Sequence, residues 1–327
     1  NKQQATNPLD PLSRTSVIKD EFHRTMKLKI FKNMSQRAQI DHSVRSTIRM
    51  VVRSTLADDV LRLLSYEPGA RRTWPEHVHQ MRTSVRRLRS VLRFFGPVLA
   101  DPGARRLREE LRWLAGVLGA VRDLDVLEQR LRGAVVQLQI VSPSDHLFEE
   151  IDRRREVSQS NLVDALNDDR YESLRSTLIT EARSPVLADK GDRSAGKLLV
   201  DRLSREMRRF LDDLESTPPD SPIEALHEFR KQAKRTRYTA ESASEWLDGR
   251  VGRIAYRISR QAKQVQEILG TAQDAHVAIR FIREVMPTLA GEGPAHEAAV
   301  LLIDQQDIEA EEVLSQYRVL RDRILNE

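Results

Sequence analysis

The sequence predicts an all-α fold built from a duplicated helical unit, and three observations carry that reading. Apolar residues recur at spacings of three and four along most of the chain, no stretch alternates with period two, and two separate motifs recur in the same order in the two halves. Composition agrees, with 31% charged and only 5% aromatic residues, a balance suited to exposed amphipathic helices rather than to a β-rich or membrane protein. A chain of 327 residues can bury a sizeable core without needing a ligand to fold.

The elements follow from periodicity and breakers. Residues 1–38 contain a Pro- and Ser-bearing stretch and a weakly amphipathic segment marked by Phe22, Met26, Ile30 and Met34. They read as a tail or an extra helix, packed on the bundle or partly disordered rather than lying in a membrane interface. Ile48, Val51, Val52, Leu56, Val60, Leu61 and Leu64 place a helix over 40–64, ended by the segment 66–75 with its Pro68-Gly69 pair. Helices follow over 76–95, 104–138, 146–167 and 171–182, with Gly96-Pro97, Asp101-Pro102-Gly103 and Ser142-Pro143-Ser144 as breaks. Beyond a break at 184–196, helices are expected over 197–215, 223–246, 250–286 and 295–326, divided by the Pro-rich 217–222 and by Gly291-Glu292-Gly293-Pro294. The domain reading is a tail over 1–38 and one unit over 39–327, with halves 39–184 and 185–327.

Several function classes drop out. Without cysteine there are no disulfides, thiolate nucleophiles or Cys-containing zinc sites. No apolar run reaches transmembrane length and no secretory leader is visible, so a cytoplasmic location without a membrane partner is expected. The chain opens at Asn1, so a missing leader is weak evidence and an upstream domain stays open. P-loop, dinucleotide, HExxH and Gly-x-Ser-x-Gly motifs are absent, and the acids lie scattered among arginines rather than gathered for Mg²⁺. The expectation is a non-enzymatic protein with no metal and no cofactor, histidine phosphoryl transfer ranking behind two binding functions.

The repeat carries the chemistry. Val78 to Arg89 aligns with Leu226 to Arg237 so that His79 falls on His227 and four basic residues fall on four basic residues. Further on, Leu118-Gly119 and Asp123 fall on Leu269-Gly270 and Asp274. On a helix, His79, Arg82, Arg86, Arg89 and Arg93 form one stripe, and His227, Arg230, Lys234 and Arg237 form its counterpart. Each stripe borders an apolar face, Met81, Val85, Leu88 and Leu92 in one half and Leu226, Phe229, Ala233 and Ala240 in the other. Cations at such spacing repel one another, and partly buried ones are costly unless paired, so an anion is expected there. The next helices add Arg105, Arg108 and Arg112 in one half and Arg253, Arg257, Arg260 and Lys263 in the other, four basic faces available to line one groove. Gly119 would let a neighbouring backbone approach, and Asp123 and Asp274 could orient a His or Arg across the gap.

The bland alternative for the stripes is a set of solvated helix faces balanced by acids, since 54 basic residues meet 49 acidic ones and the net charge is only +5. Register between the halves, His on His, weighs against it. The histidines read as phosphate contacts or positioning groups, because His77 and His79 are wrongly spaced to chelate a metal from one helix face. Asp123, Asp125 and Asp274 fit structural caps or ion-pair partners about as well as orienting groups.

These motifs resemble the CHAD family, named for a histidine-containing α-helical domain. The resemblance rests on His79-Gln80-Met81-Arg82 with Arg86-Arg87-Leu88-Arg89 and Leu118-Gly119-Ala120-Val121-Arg122-Asp123, on Leu226-His227-Glu228-Phe229-Arg230-Lys231 with Lys234-Arg235-Thr236-Arg237, and on Ile268-Leu269-Gly270. It covers roughly 40–320 and departs modestly, with Gln273 where the first half has Arg122. The resemblance implies two pseudo-symmetric helical bundles around a central basic cavity, binding of inorganic polyphosphate and other polyanions, and location at polyphosphate granules. It also implies that a triphosphate tunnel domain can precede such a unit. A nucleic-acid backbone is the runner-up ligand, less favoured because the stripes lack aromatic platforms for bases.

Overall fold

The computed structural model describes residues 48–96, 99, 103–140, 145–187, 195–247, 249–289 and 293–327. The readings of the tail and of residues 40–47 lie outside the described residues. The described elements are α1 (Ile48–Ala70), α2 (Pro75–Phe94), α3 (Gly103–Gln137), α4 (Asp145–Asn167), α5 (Asp169–Arg183), α6 (Ala195–Ser216), α7 (Ile223–Trp246), α8 (Gly249–Val285), a 3₁₀ turn (Met286–Thr288) and α9 (Pro294–Asn326). The fold is all-α, and β pairing among the described residues is confined to an isolated bridge between Leu99 and Leu187.

Local chemistry explains most boundaries. Pro75 opens α2, where its missing N–H costs nothing, and the last-turn Arg93 complements the helix dipole. Asp168 separates α4 from α5 by capping the latter, its carboxylate accepting from the Arg170 N–H at 2.7 Å. One boundary differs from expectation: α1 runs on through Pro68 to Ala70. The chain turns only after that, with Arg72 N–H on Gly69 C=O at 3.1 Å, Thr73 N–H on Ala70 C=O at 3.0 Å, and Thr73 in the left-handed region at φ 55°. Both long helices, α3 and α8, continue unbroken through their Leu-Gly pairs.

Apolar faces gather into four clusters. The first joins α1, α2, the first half of α3, the end of α4 and α5, around Val52, Met81, Leu88, Leu111 and Tyr171. Two clusters belong to the second half, one around Phe210, Phe229, Leu269 and Tyr317, the other around Leu203, Met207, Ala240 and Ile258. The fourth joins the halves: Leu127 and Leu131 of α3 and Ile151 of α4 pack against Phe281 and Ile282 of α8 and Leu302 of α9. The halves meet a second time where α2 packs on α7, and that contact positions the two basic stripes.

Candidate anion-binding site

The α2 and α7 stripes border the apolar faces that pack inward, so their side chains emerge at the seam between the helices. His79, Arg82, Arg86, Arg89 and Arg93 are all half-buried, as are His227, Arg230, Lys234 and Arg237. The two stripes act on each other: the charges felt by Arg86 include Arg82 on its own helix and Arg230 and Arg237 opposite. Lys234 in turn feels Arg86, Arg230, Arg82 and Arg89. Burial, reinforced by these like charges, pushes the Lys234 ammonium down to about 7. Burial and the Arg112 charge likewise lower Arg89, and burial with the Arg235 and Arg89 charges lowers Arg93.

The Gly positions of the repeat make matching contacts in the two halves, though with a guanidinium where a neighbouring backbone was expected. Arg82 lies over Gly119 and donates through Nη2 to Asp123 Oδ1 at 2.9 Å. Arg230 lies over Gly270 more closely, its Nε 3.3 Å from where a Cβ would sit. Asp274 is pushed up by burial, against the lowering charges of Arg230 and Arg130. The glycines therefore leave room for the first arginine of each stripe, and the aspartates one turn on set its charge environment.

The histidines diverge. Burial first and the Arg122 charge next hold His79 below the usual imidazole range, leaving it neutral at pH 7. In the second half, Gln273 replaces that cation, and His227 Nδ1 donates to Gln273 Oε1 at 3.0 Å.

Acids are few along the seam. Asp123 holds Arg82, and Glu241 accepts from Arg237 Nε at 2.7 Å. Arg86 donates to Thr83 Oγ1 at 3.0 Å, while its Nε and that of Arg230 are buried without an acceptor among the described residues. Buried guanidinium N–H groups are costly to leave unmet, and phosphate oxygens suit them geometrically.

The outer basic residues divide. On α3, Arg105, Arg108 and Arg112 align with Gly119 on the side facing Arg82; Arg112 acts on Arg89, and Arg108 is half-buried. On α8, Lys263 shares the Gly270 face but is 3.6 Å from Glu267. Arg253, Arg257 and Arg260 are exposed and lie roughly 80° to 140° round the helix from Gly270. The register that puts Gly119 on Gly270 puts Arg105 on Tyr256 and Arg108 on Ser259, so these three arginines are not the counterparts of the α3 face.

Two contributors were not legible from the repeat. Arg122 supplies the charge beside His79, and Arg202 of α6 stands close enough to Arg93 to act on it. An Arg four residues before an acid on one helix was the available signal for Arg202, whose Nη2 is 3.2 Å from Glu206. Among the described residues no three His, Asp or Glu side chains gather as metal ligands, and no helix is long and apolar enough to cross a membrane.

An all-helical body with two half-buried cationic stripes meeting at a helix seam defines the class of protein. Comparison names its family: residues 54–283 match the model of the CHAD domain, and the chain belongs to that family. Two Mycobacterium tuberculosis proteins, uncharacterized protein MT2285 from strain CDC 1551 and uncharacterized protein Rv2226 from strain H37Rv, are each 29% identical over 238 residues. The match covers 69% of this chain and 44% of each relative, so the chain spans less than half of their length. Among solved structures, the fold is similar to PptA from Streptomyces chartreusis, with a TM-score of 0.70 and 17% identity over 86% of this chain and 100% of that one. It is also similar to the CHAD domain of the plant Ricinus communis, with a TM-score of 0.65 and 23% identity over 88% of this chain and 95% of that one.

Proposed function

We propose that the protein binds inorganic polyphosphate along the α2/α7 seam, without metal and without turnover, and that binding holds it at polyphosphate granules in the cytoplasm. The observation that carries this reading is the confrontation of the two stripes: Arg82, Arg86, Arg89, Arg230 and Lys234 converge with few acids to balance them. A linear chain of phosphates supplies closely spaced negative charge and acceptor oxygens without a bulky scaffold, which suits a half-buried cleft between helices. The Arg forks can grip it bidentately, and the imidazoles of His79 and His227 add hydrogen bonds.

Two titrations test it. Long-chain polyphosphate should bind more tightly than heparin at equal charge and moderate salt; equal affinity would leave only a diffuse basic surface. The paired changes Arg82→Ala with Arg86→Ala, and Arg230→Ala with Lys234→Ala, should each weaken binding and flatten the slope of log affinity against log salt by about two. Circular dichroism should be unchanged in both.

A nucleic-acid backbone remains the second reading. Tyr238 is the aromatic beside the α7 stripe, and its ring is already covered by Arg237 with the guanidinium 5.3 Å from the centroid. Bases would find little to stack on there. Displacement of polyphosphate by single-stranded RNA at equal phosphate concentration would favour this second reading.

A further inference from the structure

The stripe does not end at the α2/α7 seam. At the C-terminal end of α2, Arg93 comes within charge range of Arg202 on α6 and Arg235 on α7, and Arg202 comes within range of Arg108 on α3. Four helices from both halves thus deliver cations to one place. Glu206, the buried acid there, is already engaged by Arg202 at 3.2 Å and by the Gln232 side-chain amide at 3.1 Å. The Nε atoms of Arg108 and Arg202 are buried and meet no acceptor among the described residues. Two orphaned donors beside a half-buried Arg93 are poorly explained by helix solubility, which needs exposed charges. Arg93 also lies near the α2 C-terminus, where the helix carbonyls attract a cation, but that accounts for neither Arg108 nor Arg202.

Resting on the polyphosphate reading, we infer that Arg93, Arg108 and Arg202 form a second phosphate subsite at the far end of the stripe, reached only by chains long enough to cross the seam. From His79 to Arg93 the stripe runs roughly 21 Å at a rise of about 1.5 Å per residue. Tripolyphosphate is much shorter than that and fills the seam alone, where the cations are densest. A long chain lies along the seam and continues onto Arg108 and Arg202, so this subsite selects for length.

The test compares wild type, Arg108→Gln, Arg202→Gln and Arg86→Gln, each titrated with tripolyphosphate and with long-chain polyphosphate. Arg108→Gln removes no ion pair among the described residues, and it keeps the inference testable should Arg202→Gln melt early through loss of the Glu206 contact. The expected result is a loss of about five- to tenfold on the long chain for Arg108→Gln and Arg202→Gln, with a salt slope shallower by about one. On tripolyphosphate both should stay within about twofold of wild type, whereas Arg86→Gln should weaken both ligands. If wild type binds long chains but not tripolyphosphate, the long-chain loss in Arg108→Gln carries the inference alone. Equal losses on both ligands, or no loss on the long chain, overturn the subsite and leave the seam intact. Failure of wild type to bind either ligand overturns the polyphosphate reading itself.

Discussion

Lys234 differs from every arginine around it in one chemical respect, since an ammonium can lose its proton near neutral pH and a guanidinium cannot. Arg86, Arg82 and Arg89 face it across the seam and Arg230 lies one turn before it on its own helix, while Asp123 and Glu241 are engaged with Arg82 and Arg237 and Asp274 lies within charge range of Arg230. Its value falls from 10.5 in the ordinary case to about 7 in the folded protein. The folded state therefore binds this proton more weakly than the unfolded chain, and between about pH 7 and 10.5 the Lys234 contribution raises stability as pH rises. Binding should run the other way. A phosphate chain restores the proton, so affinity should drop as pH climbs from 7 to 9, by up to about tenfold per unit where one full proton is taken up. Lys234→Arg, permanently charged, should show a flat profile over the same range, and a wild-type profile equally flat would refute the linkage. The sequence displayed Lys234 as one cation among several. What it hid was the facing stripe, because a helical wheel gives a residue's own face and not the charge of the helix opposite. The Arg122 and Gln273 difference was visible as letters, but its consequence, a neutral crowded His79 against a hydrogen-bonded His227, required the positions of both side chains.

At the scale of the element, nearly all helices were readable from apolar spacing and from Pro, Gly and Asp breaks, because those are local causes. The errors are equally local in origin. Pro68 marks a helix end by its letter alone, yet a proline in the closing turn forfeits one hydrogen bond and is tolerated when packing holds the turn. The packing here is His77, which stacks edge-on against Tyr66 and Trp74 with centroids 5.6 and 5.2 Å apart and leaves no room at Gly69. A Cβ there would fall 2.0 Å from His77 Nδ1, so Gly69→Ala should cost about 1–3 kcal/mol in urea unfolding while leaving the salt slope of binding unchanged. Off the stripe, Arg87 turned out to serve the fold rather than the seam. Its Nε donates to Asp59 Oδ1 at 2.9 Å, and Asp59 is only 3% exposed. Burial pushes that carboxyl up despite the arginine, so removing the partner leaves a poorly solvated acid. Arg87→Ala should lower stability by about 1–3 kcal/mol with little effect on polyphosphate affinity, and Asp59→Asn added to it should recover part of the loss. A binding defect larger than the stability defect would place Arg87 in the site after all.

For the whole molecule, the repeat made two halves legible but not how they are joined. Leu127, Leu131 and Ala134 on α3 and Ala278, Phe281, Ile282 and Val285 on α8 follow the three-and-four spacing of a buried helix face. Nothing in the spacing says that these faces meet each other, because periodicity identifies a side and not its partner. They do meet, with Ile151 and Leu302 closing the cluster, and Arg130 of α3 reaches Glu309 of α9 at 2.8 Å beside it. The seam that carries the basic stripes is thus one contact between the halves, and the apolar cluster adjoins its Asp end, where Asp123 lines a cavity together with Leu127 and Phe281. That arrangement makes a specific demand: repulsion among the facing cations pushes α2 and α7 apart, and the α3/α8 cluster must hold the halves together when no anion is present. Phe281, 4% exposed with Arg154 stacked 5.2 Å from its ring centroid, is the test residue. Phe281→Ala should cost about 3–5 kcal/mol, and since the cavity opens at the joint between the halves, the loss should be felt by both. Wild type should unfold in one cooperative transition, while Phe281→Ala should be rescued by polyphosphate more than an equally destabilising change inside one half, such as Leu111→Ala, because the bound anion removes the repulsion that the joint opposes. Equal rescue of the two variants would mean that the halves are held by the seam itself and that the facing charges impose no strain on the free protein.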